Sequence, residues 1–256
     1  MELKFDKVYC LTLDKNEERR KNISKILNNY YNIDFEFFYA FPFYKSVYSE
    51  LFNWNTKVIP FGNYNYDNTV YIDYDGGRSL SIYIANYSIV YNALMKGVNS
   101  VLIIEDDACL HKDLKLIERY FNEIPKDADV VRYGYNIGFD ENKVNQIKLD
   151  NKDKLFFKDN KNLQDKMGAQ MFALMNRKTM EIYCENIAKT LTGGDNPYNT
   201  FIGNEYNLNI YFSLTNLALD HITYQSIINN ETPGLGYIPF DIKTIKENIN
   251  NYFEND

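Results

Sequence analysis

The chain has 256 residues and a mass of 30.2 kDa, enough to bury one substantial core, and we read it as a single domain over 1–256. A formal net charge of −7 argues against nucleic acid as a general partner and against purely electrostatic docking on an acidic membrane. Three cysteines, Cys10, Cys109 and Cys184, are odd in number and lack C-x-x-C spacing, which argues against a disulfide scaffold or a cysteine zinc site and fits a reducing cytosol.

No stretch approaches the roughly 18 apolar residues of a membrane span, and the opening "MELKFDKVYCLTLDK" holds a run too short for a signal sequence. The expectation is a cytoplasmic protein without an integral membrane segment. The 23 Tyr and 17 Phe are many, and much of the Tyr lies among Asn and Asp. Sugar-binding surfaces use aromatic faces in this way, and so do core edges with their hydroxyls in water.

In chain order, "KVYCLTL" (7 to 13) is a β-rich run, and a helical segment follows at once, with Ile23, Ile26, Leu27 and Tyr30 at helical intervals. Asp14 and Glu17 have capping-box spacing and predict the helix start. "DFEFFYAF" (34 to 41) predicts a second strand. Residues 42–78 then form an excursion too aromatic for a solvated tether. Ile82, Ala85, Ile89, Ala93 and Leu94 define one helical face, with Gly97 suited to the C-cap.

The apolar run "SVLII" comes next and ends in Glu105, Asp106 and Asp107. A helix feeding a continuous apolar strand predicts an α/β protein with a mostly parallel central sheet flanked by helices, whose ligands collect at the carboxyl ends of strands. Residues 113–124 read as a helix, 128–134 as a strand and 138–166 as a polar excursion. A strand is expected over 169–176, a helix over 177–191 stopped by Gly193 and Gly194, one strand with its continuation over 209–222, and a closing helix over 240–256.

Three adjacent carboxylates repel one another unless water, cations or a metal ion compensate. On a strand, residues two apart share a face, so Glu105 and Asp107 are expected to point together while Asp106 points elsewhere or begins a turn. Hard oxygen donors at this spacing suit Mn²⁺ or Mg²⁺ with positions left for phosphate oxygens, the chemistry of a nucleoside diphosphate. A solvated strand end and a helix cap are the plain alternatives.

The ordered segments "VYCLTLDKNEERR", "NYSIVYNALMKGVNSVLIIEDDA", "MGAQMFALMNRKTMEIYC" and "YQSII" resemble glycosyltransferase family 25, the lipopolysaccharide and lipooligosaccharide glycosyltransferases, over about residues 7 to 228. The resemblance implies a GT-A-type nucleotide-diphospho-sugar transferase fold in which an acidic motif holds Mn²⁺ against the diphosphate of a UDP-sugar. Matched by position, Leu13, Asp14 and Arg19 are implied near the nucleotide. Glu105, Asp106 and Asp107 match the metal motif, with Asp107 as direct ligand. Gly168, Ala169, Gln170, Asp195, Gln225 and Ser226 match later segments. The chain departs from the family at Thr12, where Asn is usual. It departs again at Ser81-Ile82 and Ala85-Asn86, where Gly-Cys and Ser-His are usual.

The implied reaction moves a hexose such as galactose from a UDP-sugar to a glycan hydroxyl, with inversion, in surface glycan biosynthesis. A lipid-linked acceptor would bring the enzyme to the inner membrane face. Inversion needs a base, for which Asp195 beside Gly193 and Gly194 comes first and Glu205 second. Arg19, Arg20 and Arg78 are candidates to grip phosphate, each with surface ion pairing as its alternative. His221 is a candidate to complete the metal shell. Trp54, Tyr64, Tyr66, Tyr71 and Tyr74 offer either an acceptor platform or packing. The rival readings are a metal-dependent phosphohydrolase and a non-catalytic carbohydrate-binding relative.

Overall fold

Strand β1 (Lys7–Thr12) sets the layering, because successive side chains point to opposite faces. Tyr9 and Leu11 enter one apolar cluster while Val8 and Cys10 enter another on the opposite face. The computed structural model describes residues 4–40, 56–58, 70–72, 78–137, 141–159, 167–186, 205–229 and 238–255.

After β1 come helix α1 (Glu17–Ser24), a π-helical turn (Lys25–Tyr30) and strand β2 (Glu36–Tyr39). Two short strands, β3 (Thr56–Val58) and β4 (Val70–Ile72), pair in parallel with each other. Helix α2 (Arg78–Met95) leads to β5 (Ser100–Glu105), β6 (Ala108–Leu110) and helix α3 (Leu114–Asn122). Next are β7 (Val130–Ile137), α4 (Glu141–Asp150), β8 (Phe156–Lys158), β9 (Met167–Asn176) and α5 (Arg177–Glu185). The described chain continues with β10 (Ile210–Ser213), β11 (Ala218–Asp220), α6 (His221–Ile228), β12 (Ile238–Pro239) and α7 (Ile242–Glu247).

The main sheet has the order β2-β1-β5-β9-β7-β10-β8, with β12 added on β7. Strands β2, β1, β5, β7 and β10 run one way, and β9, β8 and β12 run against them. The α/β class and the helix-flanked sheet expected from the sequence are present, and the sheet is mixed. The carboxyl ends of β1, β5 and β7 therefore lie along one edge.

One face is covered by α2, through Ala85, Ile89, Val90 and Ala93, and by α5, through Met180 and Tyr183. The other carries Ile23, Ile26 and Leu27 together with Ile117, Tyr120 and Phe121 of α3. Each large apolar side chain removed from water in this way contributes about 1.5–3 kcal/mol. Gly97 has the expected C-cap conformation, with φ at +75°, and the Val98 amide donates to the Ala93 carbonyl.

Three local expectations are corrected. Helix α1 begins after Asn16 rather than at Asp14, which lies exposed in a turn, and Asn16 makes no capping bond because its side chain is drawn to Asp106. The 138–166 excursion contains α4 and β8, and the segment 209–222 is two strands, the second pairing with β6 instead of the main sheet. The closing helix stops at Glu247. Residues 249–251 form a 3₁₀ turn, and the chain beyond is extended because its backbone bonds to Leu110. Among the described residues no helix is long and apolar enough to cross a membrane.

Candidate active site

Thr12 closes β1 and Glu105 closes the neighbouring β5, with Leu11 and Glu105 in register. The chain then turns through Asp106 and Asp107 into β6, and the Asp106 amide donates to the Leu11 carbonyl at 3.0 Å. The strand ends at Glu105, and the turn after it brings Asp106 and Asp107 to one guanidinium, that of Arg19. Glu105 is half-buried at the strand end.

Asp106 is 5 % exposed. Its Oδ2 accepts from the Thr12 hydroxyl at 2.6 Å and from Asn16 Nδ2 at 3.0 Å, which satisfies a buried carboxylate that would otherwise be costly. Thr12 thus has a defined partner. Bonds of this kind to a charged group contribute about 1.5–3 kcal/mol.

Asp107 is more open. Arg19 Nη1 donates to its Oδ2 at 3.1 Å and stands 3.7 Å from Asp106 Oδ1. Burial chiefly, with repulsion from Asp106 and Asp220, holds the Asp107 carboxyl above its usual 3.8 although Arg19 pulls it down.

The two arginines after β1 have different roles. Arg20 Nη1 donates to the Leu13 carbonyl, and its guanidinium lies over the Tyr39 ring at 5.3 Å, so it braces the turn. Leu13 packs against the core and also receives the Asn16 amide at 3.0 Å. Asp14 is exposed two residues from Asn16.

Strand β11 runs beside β6, with Asp220 as the register partner of Ala108. Asp220 caps α6, accepting the Thr223 amide at 2.7 Å and hydroxyl at 2.8 Å, and it accepts Asn136 Nδ2 from the end of β7 at 3.1 Å. His221 follows as the first residue of α6 and is half-buried. Asp220, Asn136 and Asn16 were missed in the sequence. Asp220 had one usable signal, an acidic residue immediately before the candidate ligand His221.

Of the remaining candidates, Asp195 lies outside the described residues, as do Trp54, Tyr64, Tyr66 and Tyr74. Arg78 opens α2. Glu205 is exposed and precedes β10, entering the sheet at the amino end of that strand, whereas Asp107 follows the carboxyl end of β5. All three cysteines are free, and burial pushes the Cys109 thiol, behind the acidic turn, up to about 12. Burial of this kind disfavours the thiolate.

Among the described residues no group of three or more His, Cys, Asp or Glu side chains is placed to hold a metal ion. Asp220, the register partner of Ala108 in the antiparallel β6–β11 pair, nonetheless adds a second hard-oxygen side chain that is felt electrostatically at Asp107.

No family model and no curated protein sequence matches this chain. Among solved structures it is similar to A197 from STIV, at 14 % identity with a TM-score of 0.39, covering 82 % of this chain and 83 % of that one. It is similar to mouse xyloside xylosyltransferase 1 in its apo form, at 11 % identity and TM-score 0.40, covering 80 % and 83 %. It is also similar to a glycosyltransferase involved in the glycosylation of the major capsid of PBCV-1, at 11 % identity and TM-score 0.38, covering 79 % and 77 %. The functional reading rests on the residues of the site itself.

Proposed function

We propose that the protein is a metal-dependent glycosyltransferase that moves a hexose such as galactose from a UDP-sugar to a glycan hydroxyl, with inversion, in surface glycan biosynthesis. The observation that carries this reading is the Asp106–Asp107 turn at the carboxyl end of β5, with Arg19 bound to both carboxylates from the segment after β1. Cation and anion binders side by side at a strand end are what a diphosphate with a divalent ion requires.

The donor set fits Mn²⁺ or Mg²⁺. Such an ion is commonly bound by one or two carboxylates and completes its shell with water and phosphate oxygens, so a three-residue protein cage is not needed. Asp107 is the first ligand, with Glu105 and His221 as further candidates and Asp220 added by its position opposite Ala108. When bound, the ion offsets negative charge on the departing UDP.

Within this reading Asp106 holds the turn, being committed to Thr12 and Asn16, and Arg19 grips a diphosphate oxygen. Leu13 and Asp14 border the nucleotide, and Arg78 is a further phosphate contact. Asp195 takes the proton from the acceptor hydroxyl as its oxygen bonds to the anomeric carbon and the bond from that carbon to the diphosphate breaks. Glu205 is the second candidate for that base. A lipid-linked acceptor would place the cytoplasmic enzyme at the inner membrane face.

Calorimetric titration of UDP with Mn²⁺ and with EDTA, on wild type and Asp107→Asn, tests the site. Binding that requires both Mn²⁺ and Asp107 supports it, and UDP release from UDP-hexoses with glycan acceptors then identifies the substrates. Phosphate-ester hydrolysis without transfer would replace this reading with the phosphohydrolase. Glycan binding without turnover would replace it with the non-catalytic relative.

A further inference from the structure

The extended residues after the 3₁₀ turn (Ile249–Asn251) pack directly behind the acidic turn. The Phe253 amide donates to the Leu110 carbonyl at 2.8 Å, Tyr252 bridges to His111, and the Tyr252 hydroxyl donates to the Asn216 carbonyl at 2.7 Å. This segment therefore runs along the end of β6, and it delivers Asn255 to the turn itself.

Asn255 is 0 % exposed. Its side-chain Nδ2 donates to the Asp106 carbonyl at 2.7 Å and to the Ala108 carbonyl at 3.3 Å, the two residues that flank Asp107. Its Oδ1 is buried with no partner among the described residues. A buried amide left half-satisfied is destabilising, and an apolar side chain filling the same space avoids that cost. The amide is thus distinguished by its two bonds to the turn rather than by the volume it fills.

From this arrangement we infer that Asn255 is a positioning residue of the active site: by holding the backbone on both sides of Asp107, it sets the direction of that carboxylate toward the cation and diphosphate. The inference rests on the acidic turn being the donor site. It makes a residue nearly 150 positions away in sequence part of the donor-binding apparatus without touching the donor.

The test combines hydrogen–deuterium exchange across residues 101–112 with calorimetric titration of UDP in Mn²⁺, on wild type, Asn255→Ala, Asn255→Asp and Tyr252→Phe. The isosteric Asp variant keeps the shape if Ala does not fold, and Tyr252→Phe loosens the same segment without touching the turn. Expected are about tenfold faster exchange at 106–109 and about tenfold weaker UDP binding for both Asn255 variants, with wild-type UDP affinity in Tyr252→Phe. Wild-type exchange at 106–109 in both Asn255 variants overturns the inference, and so does an equal loss of UDP affinity in Tyr252→Phe. If the wild-type protein itself takes no UDP, the proposed donor is wrong, and the clamp then stands or falls on exchange at 106–109, which needs no ligand.

Discussion

Arg19 Nη1 donates to Asp107 Oδ2 at 3.1 Å, linking the first helix to the acidic turn across 88 residues of sequence. The same guanidinium is 3.7 Å from Asp106 Oδ1, so one cation serves both carboxylates. Without it, two neighbouring negative charges would face each other with only neutral donors between them.

Replacing Arg19 removes both that compensation and the proposed grip on diphosphate. Arg19→Ala is expected to weaken UDP binding in Mn²⁺ by about 10- to 100-fold, the range of a charge-assisted bond worth about 1.5–3 kcal/mol. Arg19→Lys restores only part of the loss, because an ammonium lacks the planar fork. Titration calorimetry reads both variants.

Asp107 illustrates a conflict between stability and binding. Burial, Asp106 and Asp220 outweigh Arg19, so the charged carboxyl is disfavoured in the folded protein. Asp107→Asn is expected to raise stability by about 1 kcal/mol, a Tm increase of roughly 2–4 °C, while abolishing Mn²⁺-dependent UDP binding. Thermal unfolding beside calorimetry gives both readouts. A large fall in Tm would show that the Arg19 pair outweighs the repulsion.

Gly134 on β7 has no room for a side chain: an added Cβ would lie 2.8 Å from Ala218 Cβ and 2.9 Å from the Ala218 carbonyl oxygen. Ala218 begins β11, the strand that carries Asp220. Gly134→Ala is expected to cost about 1–3 kcal/mol and to weaken Mn²⁺-dependent binding through displaced Asp220. Denaturant unfolding measures the first effect and UDP titration the second.

His111 is a pH-sensitive point in the packing behind the site. It is 7 % exposed, its Nδ1 accepts the Asp113 amide at 3.1 Å, and its ring meets Tyr252 edge-on. Burial lowers its pKa from 6.5 against the opposing pull of Asp113. The folded protein therefore binds fewer protons here than the unfolded chain, so this contribution to stability is present above about pH 6.5 and is lost as pH falls through the lowered folded value. The drop in Tm between about pH 7.5 and 5.5 is expected to be smaller in His111→Phe than in wild type.

How far the sequence reached differs between elements. Helix α2 and its Gly97 cap were legible because each depends on spacing within one segment. The start of α1 was not, because Asn16 is claimed by Asp106, 90 residues away. The closing helix was misread for the same kind of reason. Its last residues have a helical pattern, but Leu110 and the carbonyls of the acidic turn accept their donors in an extended conformation.

The sequence by itself determined the α/β class, the acidic end of β5 and Arg19 as a candidate, since apolar periodicity and an unusual run of charge are local properties. Tertiary structure alone decided that Asp106 and Asp107 share one guanidinium, that it is Arg19 rather than Arg20, that Asn255 bonds the backbone of their turn, and that Asn136 holds the nearby Asp220. Those relationships arise where separate strand ends are brought to one edge of the sheet. They depend on hydrogen-bond partners 80 to 150 residues apart, and no pattern along the chain encodes such distances.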